Sequence, residues 1–200
     1  MTTSVEFFFD FSSPYGYLAS NRIERVAERH GRSVIWRPFL VGAAMKVNER
    51  KPLARVPLVG DYAVRDVQRF ARYWDIPFVI PSHWPVATVN ACRAFYLLEE
   101  TDHDAASRLA HALYHAYFCN DRDISDRETV VAVASELGHD PIQMTEGIQT
   151  DEIKQKLRSV NDEALARGVF GSPFIIVDSE PFWGADRLEQ VDHCLSHGGW

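Results

Sequence analysis

Apolar residues cluster and alternate between positions 5 and 11, and this pattern predicts a short buried β-strand. Ser13 then stands where a helix N-cap belongs, and Pro14 occupies the first helical position. The helix predicted from residue 14 to about residue 30 has one apolar face, formed by Leu18, Ala19, Ile23, Val26 and Ala27. Residues 33–39 return to strand character, so the start of the chain predicts a βαβ unit.

The end of the chain shows a different pattern. A short apolar run at residues 174–177 follows Pro173, and a polar turn separates it from residues 181–183. This spacing predicts a β-hairpin. Gly184 then leads into a last helix, whose first turn holds Asp186, where a carboxylate is favourable near the positive end of the helix dipole. A βαβ unit at one end and a ββα unit at the other is the element order of a thioredoxin fold.

The middle of the chain predicts helices without an internal repeat. Apolar residues recur at helical spacing in segments bounded by cap or turn residues. The predicted helices cover residues 61–74, 85–100 and 104–118, a helix opened by a capping box at 125–128, and residues 150–167. The predicted fold class is therefore α/β, a thioredoxin-like domain with a large all-α helical insertion. We predict that residues 1–44 and 166–200 form the discontinuous thioredoxin-like domain and that residues 45–165 form the insertion.

Charge and cysteine content restrict the function. The chain carries 28 acidic and 21 basic residues, and a net charge of -7 argues against a nucleic-acid surface. No basic segment precedes an apolar stretch at the start, and no apolar run reaches the length of a membrane span, so we expect a cytoplasmic protein. Cys92, Cys119 and Cys194 lie far apart in helical patterns, as expected for reduced, packed thiols.

Two motifs stand at the functional positions of the thioredoxin fold. The tetrapeptide from Ser13 to Gly16 lies where thioredoxin-like oxidoreductases carry Cys-x-x-Cys, and Pro173 lies where they carry a cis-proline. Neither cysteine is present, so exchange between a dithiol and a disulfide has no dithiol to use. A redox oxidoreductase is therefore the least favoured function.

Residues 9–19, 168–173 and 182–188 together resemble the 2-hydroxychromene-2-carboxylate isomerases. These are bacterial relatives of kappa-class glutathione transferases, within the DsbA-like thioredoxin-fold family. The resemblance covers essentially the whole chain and implies glutathione as cofactor and a homodimer. It also implies interconversion of 2-hydroxychromene-2-carboxylate and trans-o-hydroxybenzylidenepyruvate in naphthalene-type aromatic catabolism, by reversible addition of the glutathione thiolate.

The resemblance also assigns roles to residues. Ser13 would be the catalytic residue, donating a hydrogen bond to the thiolate, although its position alone indicates a helix N-cap; both roles are compatible. The backbone of Ser172 would pair with the glutathione peptide like an added strand. The charge of Asp186 suits the γ-glutamyl ammonium group of glutathione. Its position alone equally indicates an ordinary carboxylate in the first turn of a helix. The predicted glutathione-binding residues are Ser13, Ser172, Trp183, Gly184, Ala185 and Asp186.

One loop departs from the family pattern. Kappa-type proteins carry an asparagine before a proline pair, and either Asn48 or Arg50 could correspond to it in this chain. They also carry a lysine further along, and Val59 stands at that position here. Loop cations are candidates to replace that lysine: Lys46, Arg50, Lys51 and Arg55. For the small aromatic carboxylate substrate, the predicted contacts are Lys46, Arg50 and Trp84, with Trp84 as a wall for a flat ring.

Two alternatives stay open from the sequence. One is a glutathione transferase or thiol-dependent reductase that acts on another electrophile. The other is a non-catalytic thioredoxin-like binding module, which the missing cysteines and the missing lysine favour. A metal site is not predicted, because the histidine pairs at positions 111 and 115 and at 193 and 197 lack a third ligand in the sequence pattern.

Overall fold

The computed structural model describes residues 4–199, which contain a four-stranded sheet and nine α-helices. The strands are β1 (Val5–Phe9), β2 (Val34–Pro38), β3 (Phe174–Val177) and β4 (Glu180–Trp183). The helices are α1 (Pro14–Glu28), α2 (Val41–Val47), α3 (Val59–Tyr73), α4 (Val89–Glu99), α5 (His103–Phe118), α6 (Arg127–Glu136), α7 (Pro141–Gly147), α8 (Asp151–Ala166) and α9 (Leu188–His197). Short 3-10 helices cover Leu53–Arg55 and Ala185–Arg187.

The sheet brings the two chain ends together. Its strand order is β2-β1-β3-β4, in which β1 runs parallel to β2 and antiparallel to β3, while β3 and β4 form an antiparallel hairpin. This arrangement confirms the predicted thioredoxin order and the helical insertion between its halves. Strand β1 is two residues shorter than predicted, because the Asp10 N–H leaves the ladder and donates to Ser172 Oγ at 2.8 Å.

Side chains of β1 alternate between the two faces of the sheet. Phe7 and Phe9 lie in the larger core cluster, where the Phe9 ring contacts Phe95 of α4 and Tyr114 of α5. Phe8 points to the other face and packs in a smaller cluster with Phe39. The helical insertion therefore packs directly on one face of the sheet, close to the end of β1.

Two helical predictions differ from the structure, and two short helices were not predicted. The helix predicted from residue 85 begins at Val89, because Val86 instead donates its N–H to Ser12 Oγ at 3.0 Å. The N-cap of α6 is Asp126, whose carboxylate accepts from the Thr129 N–H, in place of the predicted capping box. Helices α2 and α7 were not predicted, since each spans only seven residues. No helix between residues 4 and 199 combines the length and apolar character needed to cross a membrane.

Candidate active site at the start of the first helix

Ser13 joins the two ends of the chain. It is the N-cap of α1, and its Oγ accepts a hydrogen bond from the Gly16 N–H at 3.0 Å. The same hydroxyl donates to the backbone oxygen of Ser172 at 2.8 Å. The predicted N-cap is thus confirmed, and the hydroxyl lies at the junction between helix α1 and the loop before β3.

The loop before β3 holds the second motif. The Ser172–Pro173 peptide bond is cis, as the resemblance implies. Gly171 is buried against the indole of Trp183, so that a Cβ added at Gly171 would collide with Trp183 Nε1. The Trp183 ring packs against Phe170 with 4.9 Å between ring centres. Close packing of the loop therefore places Trp183 beside Ser172.

Asp10 is a buried carboxylate beneath this site. One of its oxygens accepts from the Ser12 N–H at 2.8 Å and from Thr88 Oγ1 at 3.0 Å, and the other accepts from the Val41 N–H at 2.9 Å. Burial raises the pKa of Asp10, while the three donors act to lower it. One side chain thus holds together the loop before α1, the first residue of α2 and the residue before α4.

A cavity of about 340 Å³ opens above Ser13 and Ser172. Much of its lining is apolar, including Val41, Met45, Leu53, Trp84, Val86 and Phe170. Three cations also line it: Arg50, Lys51 and Arg55. Among residues 4–199, none of these three cations has a carboxylate partner within ion-pair distance. The cavity therefore combines an apolar wall with uncompensated positive charge, which suits an anionic ligand with a flat apolar part.

Two aromatic residues of the cavity are fixed by hydrogen bonds. Trp84 Nε1 donates to the backbone oxygen of Ser12 at 2.9 Å, so the indole forms a wall of the cavity. The Tyr15 hydroxyl donates to Asp66 Oδ2 at 2.7 Å. Desolvation, followed by the Asp66 carboxylate, raises the pKa of Tyr15, so its phenol stays protonated at neutral pH.

The structure brings some of the predicted site residues into the cavity and leaves others outside it. Ser13, Ser172, Arg50, Trp84 and Trp183 all line the cavity. The other four, Lys46, Gly184, Ala185 and Asp186, are not part of its lining.

Those four residues occupy two places outside the cavity. Lys46 is exposed on α2. Ala185 is buried, and the exposed Asp186 carboxylate lies 3.2 Å from the Arg187 guanidinium. Asp186 also contributes to the raised pKa of Tyr15, after desolvation, Asp66 and Tyr62. The binding roles of these residues stay predictions.

Three residues near Ser13 were not predicted as part of the site. These are Asp10, Gly16 and Tyr114; Gly16 donates its N–H to Ser13 Oγ, and Tyr114 donates its hydroxyl to the backbone oxygen of Asp10 at 3.1 Å. One signal for Asp10 is present in the sequence, since a carboxylate between Phe9 and Phe11 is buried only when it is bonded. Tyr114 lies in an ordinary helical pattern that gives no such signal.

Residues with other possible chemistry lie elsewhere. Cys92 and Cys194 are buried and Cys119 is half-buried, and burial raises the pKa of the Cys92 thiol. His111 contacts Glu24 at 3.3 Å. Within residues 4–199, no three histidine, cysteine or acidic side chains come close enough together to hold a metal ion.

Comparisons with known proteins identify the family. A family model described as the DSBA-like thioredoxin domain matches residues 4–196. The chain belongs to the DSBA-like thioredoxin family. It is 29% identical over 198 residues to 2-hydroxychromene-2-carboxylate isomerase of Sphingobium xenophagum, which covers 98% of this chain and 99% of that protein. It is 26% identical over 203 residues to glutathione S-transferase kappa 1 of Rattus norvegicus, which covers 96% of this chain and 90% of that protein.

A solved structure agrees with these sequence relatives. The structure of a 2-hydroxychromene-2-carboxylate isomerase matches with a TM-score of 0.86 and 23% identity, over 97% of this chain and 95% of that chain. This likeness supports the fold. The family resemblance expected from the sequence is confirmed, and both sequence relatives named above are enzymes.

Proposed function

We propose that this protein is a glutathione-dependent isomerase that interconverts 2-hydroxychromene-2-carboxylate and trans-o-hydroxybenzylidenepyruvate. In this proposal it acts as a cytoplasmic homodimer in the breakdown of naphthalene-type aromatic compounds. The observation that carries the proposal is the Ser13 hydroxyl, which lies at the start of α1 and bonds Ser172 at the floor of the cavity. The similarity to isomerases along the whole chain supports the choice of reaction.

In this proposal, glutathione contacts residues of the cavity, and Asp186 outside its lining. Ser13 would hold the sulfur, the backbone of Ser172 would hold the peptide, and Asp186 would hold the ammonium group. The cavity cations Arg50, Lys51 and Arg55 would meet carboxylates, in place of the family lysine at Val59. Glutathione, when bound, would supply a thiolate able to add reversibly to an unsaturated carbon of the substrate.

Ser13 acts in this proposal as a hydrogen-bond donor. A hydroxyl has one proton, and here Ser13 directs it to the Ser172 carbonyl while accepting from the Gly16 N–H. Rotation about its side-chain bond would turn that proton toward the cavity, and the Gly16 N–H would continue to polarise the oxygen. The described cavity lining contains no histidine to serve as a base, and the Asp10 carboxylate is already bonded by three donors, so nucleophilic attack by Ser13 itself has no support.

The first prediction removes the Ser13 hydroxyl. In Ser13→Ala, we expect kcat/KM for the isomerisation to fall roughly 10-fold to 100-fold, the value of a hydrogen bond to a charged group. Ser20→Ala is the matched control on the same helix, because the Ser20 hydroxyl donates to the Tyr17 backbone oxygen and Ser20 is not part of the described cavity lining. Isomerisation would be followed by absorbance with and without glutathione. Full wild-type activity in a preparation free of glutathione would rule out the proposal.

The second prediction separates two candidate substrate contacts. The Arg50 guanidinium lies 5.8 Å from the ring centre of Phe170 and 5.9 Å from that of Trp183, and all three residues line the cavity. Arg50→Met should therefore raise KM for the carboxylate substrate roughly 10-fold, since it removes a charge-assisted contact. Lys46→Met is the matched control and should change KM less than about 2-fold, as expected for an exposed charge outside the cavity. A larger effect of Lys46→Met would reverse this assignment.

Other functions predict different results in the same assays. A glutathione transferase or thiol-dependent reductase would bind glutathione and show the same dependence on Ser13, but it would act on another electrophile. The similarity to kappa glutathione S-transferase supports this as the second candidate. A non-catalytic binding module would bind no glutathione at millimolar concentration.

A further inference from the structure

We infer that the side-chain hydroxyl of Ser172 is a second hydrogen-bond donor to the glutathione thiolate, in addition to Ser13. The inference rests on the proposed use of glutathione and adds to it. The backbone of Ser172 already has a predicted role in pairing with the peptide, and its side chain acquires a separate role here.

The hydrogen bonds of Ser172 leave its proton available. Its Oγ accepts from the buried Asp10 N–H at 2.8 Å, which fixes the orientation of the oxygen. Among residues 4–199, the hydroxyl proton has no acceptor. A hydroxyl that is held by one donor and has an unused proton is prepared to donate to a ligand.

The surroundings of Gly16 show that the Ser172 and Ser13 side chains lie close together. A Cβ placed on Gly16 would lie 2.9 Å from Ser172 Oγ, 3.2 Å from Ser13 Cβ and 2.6 Å from the Tyr114 hydroxyl oxygen. Three hydroxyl-bearing side chains thus pack closely against the first turn of α1, and they leave no room for a side chain at Gly16. The Ser13 and Ser172 side chains are therefore neighbours at the edge of the cavity that both residues line.

The three hydroxyls differ in what they offer. Tyr114 is fully buried, and its proton is directed to the Asp10 backbone oxygen. Ser13 and Ser172 both line the cavity, and only Ser13 has its proton engaged by the protein. An anion in the cavity beside Ser13 and Ser172 would therefore find the Ser172 proton available without the loss of any existing hydrogen bond.

The second donor predicts a lower pKa for the bound thiol. Hydrogen bonds to the charged form of a group favour ionisation, so each donor to the thiolate lowers its pKa. Replacement of the Ser172 hydroxyl by an apolar group should raise the pKa of bound glutathione. The effect on the sulfur should be separable from the effect on the stability of the fold.

The test compares Ser172→Thr with Ser172→Val, two side chains of similar shape that differ in the hydroxyl. The ultraviolet absorbance of the thiolate would be titrated with pH at saturating glutathione, and affinity would be measured by calorimetry. We expect the bound thiol pKa in Ser172→Val to lie about one pH unit above that in Ser172→Thr, a roughly 10-fold change in the ionisation constant. Ser172→Thr should stay close to wild type.

The outcomes distinguish this inference from the proposed function. Equal thiol pKa values in the threonine and valine variants would overturn the role of Ser172 and leave the proposed function intact. Absence of glutathione binding by the wild-type protein would overturn both. Ser172→Ala provides a second apolar variant if Ser172→Val does not fold, and it should raise the thiol pKa relative to wild type in the same way.

Discussion

Replacement of Asp10 by alanine is expected to lower the free energy of unfolding by about 3 to 5 kcal/mol, because it leaves several buried donors without partners. The carboxylate is 5% exposed and accepts from the Ser12 N–H, the Val41 N–H and Thr88 Oγ1. Loss of one buried donor's partner costs about 1 to 3 kcal/mol, and removal of a buried charge offsets part of the sum. Urea unfolding monitored by circular dichroism measures the difference.

Asp192→Ala is the control for this prediction. Asp192 contacts Arg29 and His30 at the surface, and pairs of this kind contribute less than about 1 kcal/mol. A loss for Asp10→Ala no larger than that for Asp192→Ala would mean that the three hydrogen bonds do not hold the site together. Under the proposed function, Asp10→Ala should also weaken glutathione binding, since Val41 opens the helix that carries Met45 into the cavity.

The parts of the site that depend on neighbouring residues were predictable from the sequence. Ser13 and Pro14 specify the start of α1 through local capping and backbone geometry, so both the cap and the helix follow from residues a few positions apart. The hairpin after Pro173 follows from a polar turn between two short apolar runs. The pairing of Ser13 with Ser172 came from the family resemblance, since no local rule joins positions 159 residues apart.

Long-range contacts explain what the sequence did not predict. Thr88 Oγ1 donates to Asp10, and the nearby Val86 N–H donates to Ser12 Oγ. The segment before α4 is therefore held against the loop before α1 and does not extend the helix. Helical periodicity over residues 85–100 contains no information about those partners. Likewise, periodicity places Tyr114 on an apolar helix face, and only tertiary packing brings its hydroxyl to Asp10.

The loop cations illustrate the same limit. The sequence contains four positively charged residues near the position of the missing family lysine. The local pattern does not indicate which of them replaces that lysine. The structure distinguishes Arg50 from Lys46, because Phe170 and Trp183 lie under the Arg50 guanidinium and both belong to the other end of the chain. A cation packed against two rings is partly ordered before a ligand binds, which lowers the entropy cost of a carboxylate contact.

Replacement of Gly16 by alanine is the second large effect we expect. Alanine normally stabilises a helix by about 1 kcal/mol relative to glycine. Here the added Cβ would lie 2.6 Å from the buried Tyr114 oxygen and 2.9 Å from Ser172 Oγ. Overpacking costs about 1 to 3 kcal/mol, and displacement of Tyr114 also breaks its bond to Asp10, so we expect a net loss of about 2 to 3 kcal/mol.

Gly42→Ala is the matched control, because Gly42 lies in helix α2 and its added Cβ would meet no atom within 4 Å. Gly42→Ala should raise the free energy of unfolding by about 0.5 to 1 kcal/mol, while Gly16→Ala lowers it. Stabilisation by both variants would show that the Tyr114 and Ser172 side chains do not pack tightly against Gly16. The opposite effects expected on the free energy of unfolding bear on function, since Gly16 stands where oxidoreductases of this fold carry the second cysteine. The hydroxyls of Tyr114 and Ser172 occupy the space that a cysteine Cβ would need, so the site is built around serine hydroxyls and resists conversion into a dithiol.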